Sequence, residues 1–472
     1  MQELELDDIQ GFLRHGYPYF DTAAYCLFRI EDVAGAKRWL ARLVDPGDSE
    51  PRIDHAHLKA QRLKYDDCRV VIALTACGLA KLGLDDDALR TFVSEFQEGM
   101  TAPHRTRLLG DDDGNGPEHW DWGGREPVDG LLIVFAEPSH RDEFANKGKP
   151  PRTVDDRLAE LEAIAKCPRI IHRVTGKLAL DPTSGVGKEP FGFADGISQP
   201  FIEGLTRKKP PRDVRRVKAG EFVLGYRNEL GCMPASPSVA SDPGHELQRL
   251  GGSGRGDLGR NGTFVVVRQL EQDVEAFRRA VGTNECLAAR LVGRWRDGAP
   301  LTRYPGAAAH GKTQRELEAE NDFGYYAMDR HGFHCPIGSH IRRANPRDSL
   351  ADELGIPPAQ AQALVDQHRI LRRGRAYREQ NGRQGLMFVC LNANIERQFE
   401  FVQQSWILNA EFGGLRGEVD PLLGRSRGRH MTVQQPLLGH RVAGLEQFVT
   451  VRGGGYFFLP GIRALRYLSR LP

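Results

Sequence analysis

The chain has 472 residues, 40% hydrophobic and 27% charged, enough apolar material for one large core or two smaller ones. Sixty-five Lys and Arg against 63 Asp and Glu leave a formal charge of +2, which makes no global electrostatic case for a nucleic acid or membrane partner. No apolar run approaches the roughly 18–20 residues that span a bilayer. The acidic start, residues 1–8, carries no basic, apolar or twin-arginine signal, and the eight scattered cysteines contain no CxxC, so a cytoplasmic chain with reduced thiols is expected.

Residues 25–30 (Tyr-Cys-Leu-Phe-Arg-Ile) are predicted as a strand. Residues 32–43 have helical spacing behind a capping Asp32. A second strand, 68–74, runs into Thr75 as the N-cap of a helix that ends at Gly83. A third strand, 130–136, is followed by an amphipathic helix over 154–167. This mixture predicts an α+β fold whose first half is of ferredoxin-like type. The second half repeats the element order: strand 262–270, helix 272–281, strand 385–392, and helix 395–407 with Gln and Phe on its buried face. The stretches 207–216, 234–257 and 297–311 read as connectors, and 111–124 as a loop folded onto the body. The expected division is therefore 1–206 and 207–472.

Three stretches carry the chemistry. The first is Phe191-Gly192-Phe193-Ala194-Asp195-Gly196-Ile197-Ser198-Gln199-Pro200. Glycine lets the backbone bend and approach a ligand without a Cβ, so Asp195 can be presented closely; the same letters also make an ordinary turn. The second is His340-Ile341-Arg342-Arg343-Ala344-Asn345-Pro346-Arg347. A histidine followed by arginines suits an iron ligand with cations that meet anionic substituents. It also suits a buried structural histidine. His334, Cys335 and His340 would make only part of a zinc set, because no second Cys/His pair with finger or ribbon spacing lies nearby. The third runs from Gln367 to Tyr377; its arginines form either a solvated face or a short strand at Leu371-Arg372 whose alternate arginines face opposite sides.

Taken together, these stretches resemble the dye-decolourising peroxidases, haem enzymes of bacteria and fungi. Further matches are Gly385-Leu386-Met387-Phe388-Val389-Cys390, Ile395-Glu396-Arg397-Gln398-Phe399-Glu400-Phe401 and residues 448–460. The resemblance implies two ferredoxin-like halves, with one haem b per chain held in the second. It makes His340 the iron ligand, with Glu396, or Glu400 one turn on, as acceptor for the other ring nitrogen. It puts Asp195 and Arg372 on the opposite face, as proton carrier and fixed cation. Arg347 would meet a propionate, and Leu386 and Phe388 would form an apolar wall or plain core.

The implied activity is reduction of hydrogen peroxide with one-electron oxidation of dye-like or phenolic substrates. A carboxylate base has an ordinary pKa of about 3.9 against about 6.5 for histidine, so an acid optimum is expected. Bulky dyes would react at surface aromatics, for which Tyr377, Trp120, Trp122 and Trp406 are candidates; the plainer reading of each is a packing residue. Three other readings stand beside this one: a haem carrier or haem-handling protein on the same scaffold, a chlorite-acting haem enzyme, and a cofactor-free binding protein. Asp195 argues against the second.

Overall fold

Where the run Phe20–Arg29 alternates, its side chains part to two faces. Tyr25 and Leu27 join one buried cluster; Cys26 and Phe28 join another. In the computed structural model, which describes residues 3–46, 52–57, 68–138, 152–165, 168–181, 184–211, 214–308, 311–424 and 429–472, that run is β1. It is followed by α1 (Val33–Val44), β2 (Cys68–Leu74), β3 (Gly130–Pro138), α2 (Val154–Ala165) and β4 (Arg169–Lys177). Asp32 caps α1 by accepting from Gly35 N at 2.9 Å, and Thr75 caps its helix by accepting from Gly78 N at 3.1 Å. The last two residues of the helix expected over 154–167 lie outside the described residues.

The second half supplies β5 (Thr263–Gln272), α3 (Val274–Val281), α4 (His340–Ala344), β6 (Leu371–Arg372), β7 (Arg375–Arg378), β8 (Gln384–Asn392), β9 (Arg429–Val433), β10 (His440–Leu445), β11 (Val449–Leu459) and α5 (Ile462–Ser469). Helix α3 starts two residues later than expected, because Gln272 still pairs with Val449 in the sheet and Asp273 is the cap, accepting from Ala276 N at 2.8 Å.

Within the first half the strands run β2-β3-β1-β4, and within the second β11-β5-β8-β7. Counted within each half, both are the antiparallel order 2-3-1-4 or its reverse, the ferredoxin-like pattern. Strand β11 meets β2 at Phe458↔Leu74, and β4 meets β7 at Gly176↔Tyr377. With β8 also paired along β5 over eight positions, from Gly385↔Glu271 to Asn392↔Phe264, the sheet closes on itself. The interior holds Tyr25, Phe135, Val267, Met387, Val389 and Phe457. The outer surface of the first half is covered by α1 and α5 through Trp39, Leu40, Leu465 and Leu468. The outer face of β5 and β8 carries Leu270, Leu386 and Phe388 and is left for the site. Gly385, just before it in β8, leaves no room for a side chain: a Cβ there would lie 1.8 Å from the Leu270 carbonyl oxygen. Among the described residues no helix is long and apolar enough to cross a membrane.

One expectation is corrected, and the packing reading of the aromatics holds. The helix over 395–407 is wound as two π-helical stretches, Glu396–Glu400 and Val402–Ile407, with Glu400 N donating to Ile395 O at 3.0 Å. The four aromatics considered for surface chemistry are all buried, between 3 and 9% exposed. Their polar tips explain why in two cases: Trp122 Nε1 donates to Gln269 Oε1 and Trp120 Nε1 to Asn115 O, both at 2.8 Å.

Glu400 is buried beside the sheet. Both its oxygens accept from Arg105 Nη1 at 2.9 Å, and the Tyr456 hydroxyl donates to it at 2.7 Å. Removing one partner of such a pair leaves an uncompensated buried charge. Arg105→Ala is therefore expected to lower the unfolding free energy by about 3–5 kcal/mol, read from the denaturant midpoint.

Candidate active site

The Asp195 loop is shaped from below by Glu189. Its carboxylate accepts from Phe191 N at 2.9 Å, from Phe193 N at 2.8 Å and from Gln272 Nε2 at 2.7 Å. Burial raises the Glu189 pKa, and those three donors hold it back. From the other side Arg296 bonds the Phe191 carbonyl and stacks over the Phe193 ring at 4.9 Å. The chain then turns at Gly196, φ +78°, a left-handed value that favours glycine. Asp195 Oδ1 accepts from Gly196 N at 2.6 Å and from Arg372 Nη1 at 3.3 Å.

Arg372 sits on β6, and Gln199 holds that strand at both its polar backbone atoms. Arg372 N donates to Gln199 Oε1, and Gln199 Nε2 donates to Arg372 O, each at 3.1 Å. Arg373, pointing the other way, donates to the Phe12 and Leu13 carbonyls at 3.2 and 3.1 Å. The alternation expected for the arginines is thus present. It divides them between the site and the anchoring of the N-terminal segment.

His340 opens α4. Ser339 before it donates to Arg290 O at 2.5 Å, and Arg343 after it is buried and donates to the carbonyls of Trp406, Asn409 and Glu418. The His340 Nδ1 partner is Asp420, at 2.9 Å. Asp420 is fully buried; its other oxygen accepts from Leu422 N and Leu423 N at 2.9 and 2.8 Å. Burial pulls the His340 pKa down, but the charge and hydrogen bond of Asp420 outweigh it and leave the imidazole above 6.5. Burial likewise raises Asp420, and His340 brings it below the usual carboxylate value. The expectation that Glu396 or Glu400 would be this acceptor is corrected. Glu400 is engaged by Arg105 and Tyr456, and Glu396, on the same π-wound segment, does not line the cavity that His340 faces.

One cavity collects these groups. Asp195, His340, Arg347, Arg372, Leu386 and Phe388 all line it. So do groups that carried no assignment in the sequence: Glu189, Arg294, Arg369 and His368. Arg347 holds φ +55°, unusual for a side chain with a Cβ, and its guanidinium lies 3.8 Å over the Phe323 ring. It donates to the Asn321 and Phe323 carbonyls and to Asn321 Oδ1. Arg294 donates to Gly298 O and Asn321 Oδ1. Arg369 has its carboxylate contact at 3.9 Å, on Asp366. Burial pushes Arg294 and Arg369 down to about 10. Among the described residues, three cations, Arg294 and Arg347 buried and Arg369 partly so, thus line the cavity with no carboxylate in hydrogen-bond contact. Such a wall can receive a dianionic group. The His340 nitrogen not held by Asp420 can ligate a metal, and the Asp195–Arg372 pair can move a proton beside a fixed positive charge.

A family model described as "Dyp-type peroxidase, C-terminal" matches residues 253–422. A dye-decolorizing peroxidase of Auricularia auricula-judae is 31% identical over 320 residues, which is 61% of this chain and 57% of the fungal protein. One from Exidia glandulosa is 26% identical over 502 residues, covering 98% of this chain and 87% of that protein. The solved structure of an ancestral D-type dye decolorizing peroxidase superposes with a TM-score of 0.77 at 27% identity, covering 98% of this chain and 99% of the other.

Glu189 gives a test of how the loop is held. Glu189→Ala leaves the Phe191 and Phe193 amides without their acceptor, at about 1–3 kcal/mol. Amide hydrogen exchange over residues 191–196 is expected to accelerate before any loss of protection in β1 or β5.

Proposed function

Because this chain belongs to the dye-decolourising peroxidase family, we infer that it is a haem-dependent peroxidase that reduces hydrogen peroxide and oxidises dye-like or phenolic substrates in one-electron steps. The observation that carries this reading is the convergence of His340–Asp420, Asp195–Arg372 and three cations with no carboxylate in hydrogen-bond contact on one cavity. The residues fit one haem b per chain: a tethered imidazole for the iron, Arg347 with Arg294 and Arg369 for the propionates, and Leu386 and Phe388 for the ring. In this reading Asp195 comes from the first half of the chain, 1–206, and the other groups from the second, 207–472.

Haem bound there supplies an iron that takes the oxidising equivalents of the peroxide. The chain does the rest. Asp420 keeps the Nδ1 proton of His340 and fixes the ring, so the other nitrogen is free to ligate. Asp195 takes the proton from one peroxide oxygen and returns it to the other, which leaves as water. Arg372 holds a positive charge where the leaving oxygen gathers negative charge, and Gln199 keeps that arginine in place.

Absorption spectra of haem-loaded protein before and after one equivalent of peroxide test this. Wild type is expected to convert its ferric Soret band within seconds, and Arg372→Ala about 100-fold or more slowly. A Soret band that ignores peroxide in both would favour a haem-handling protein. Because Asp195 is the base, peroxidase activity is expected to peak at acid pH and to lose that acid optimum in Asp195→Asn; an optimum near neutrality in wild type would remove Asp195 from the role.

A further inference from the structure

His368 lines the cavity and has no task in the scheme above. Its ring is immobilised. It stacks on Phe401, centroids 3.8 Å apart and planes within 10°, and meets Trp406 edge-on at 5.3 Å. Its Nδ1 lies 2.5 Å from the Arg397 carbonyl oxygen. A carbonyl only accepts, so Nδ1 carries the proton, and the nitrogen His368 can offer the cavity is Nε2, with a free lone pair. Burial, outweighing the hydrogen bond to the Arg397 carbonyl, lowers its pKa and so favours the neutral ring. Arg369 follows directly in the chain and Arg347 lines the same cavity. The cavity therefore holds an oriented acceptor that is separate from the Asp195–Arg372 pair.

We propose that His368 accepts the proton from organic substrates that lose one when they give up an electron, phenols above all. The proposal rests on the peroxidase reading, which supplies the oxidant. The phenolic O–H bond breaks, the electron goes to the oxidised cofactor, the proton goes to Nε2, and a neutral phenoxyl radical leaves. A phenol that has lost an electron is a strong acid, so a weak base suffices. A weak base also gives its proton back to solvent before the second one-electron step. Asp195 is less suited to this task, because its Oδ1 is engaged by Gly196 N and Arg372 and its proton is committed to the peroxide. His368 in this way favours hydroxylated aromatics over their ethers at the same cavity.

The test compares two electron donors with the holoenzyme and peroxide: 2,6-dimethoxyphenol, which loses a proton, and ferrocyanide, which does not. In wild type, D2O is expected to slow phenol oxidation about twofold or more and leave ferrocyanide nearly unaffected. His368→Phe keeps the ring stack and removes the acceptor. It is expected to lower kcat/KM for the phenol at least about 10-fold further than for ferrocyanide, with partial recovery in His368→Gln. Calorimetry on the resting holoenzyme gives a readout apart from turnover: wild type is expected to bind the phenol several-fold more tightly than its methyl ether, and His368→Phe to bind both alike. Equal losses for both donors, no preference for the phenol over the ether, or no difference between the donors in the D2O effect on wild type would each overturn the proposal. The D2O comparison needs no variant. If wild type oxidises neither donor, the peroxidase reading fails first and takes this proposal with it.

Discussion

The hydrogen bond between His340 and Asp420 is the contact on which the site depends. A lone buried carboxylate is costly, and a lone buried imidazole can ligate through either nitrogen. Paired, each removes the other's problem: Asp420 stays ionised, and His340 has one nitrogen committed. The pair is in turn locked at both ends. The Leu422 and Leu423 amides hold the second oxygen of Asp420, and Arg343 ties α4 to the carbonyls of Trp406, Asn409 and Glu418. The imidazole is thus aimed by a buried network that reaches across some 80 residues of chain.

The same economy governs the other wall. Asp195 arrives on a loop from the first half and Arg372 on a short strand of the second, and neither element is long enough to be rigid alone. Glu189 and Arg296 fix the loop through its own amides and carbonyl, and Gln199 fixes the strand through its backbone. Side chains with no part in the chemistry therefore set the distance between the two that have one. The cavity floor is simpler: Leu386 and Phe388 face it because alternate residues of β8 face outward while Met387 and Val389 face the interior.

Much of this was legible in the letters. Short apolar runs placed β1, β2, β3, β5 and β8, and the capping residues Asp32 and Thr75 placed two helix starts, because both are local effects that a few neighbouring residues decide. The Asp195 loop, His340 and the arginine run stood out through composition, and all three reach one cavity. What was not legible is long-range. Asp420 looks like any Asp before a proline, a common turn signal, and nothing near it in the chain points to His340. Glu396 and Glu400 lay on a predicted helix at plausible spacing, but the π-winding and Arg105 take Glu400 elsewhere. Glu189 hides in a loop, where its value lies in the amides it receives. The burial of Trp120, Trp122, Trp406 and Tyr377 depends on what folds over them, which an amphipathic aromatic does not declare.

The two places where the halves meet in the closed sheet are each a single residue pair, Phe458↔Leu74 and Gly176↔Tyr377, whereas the long strands within a half pair over seven to ten residues and β7 with β8 over four. Backbone bonding therefore does little to fix how one half is rotated against the other. Interior side chains such as Tyr25, Phe135, Met387 and Phe457 act as the gearing between them. The order of assembly follows from the same asymmetry: each half can complete its own ladder first, and docking is a late step governed by side-chain fit. The distance from Asp195 to the rest of the site is then inherited from that meshing.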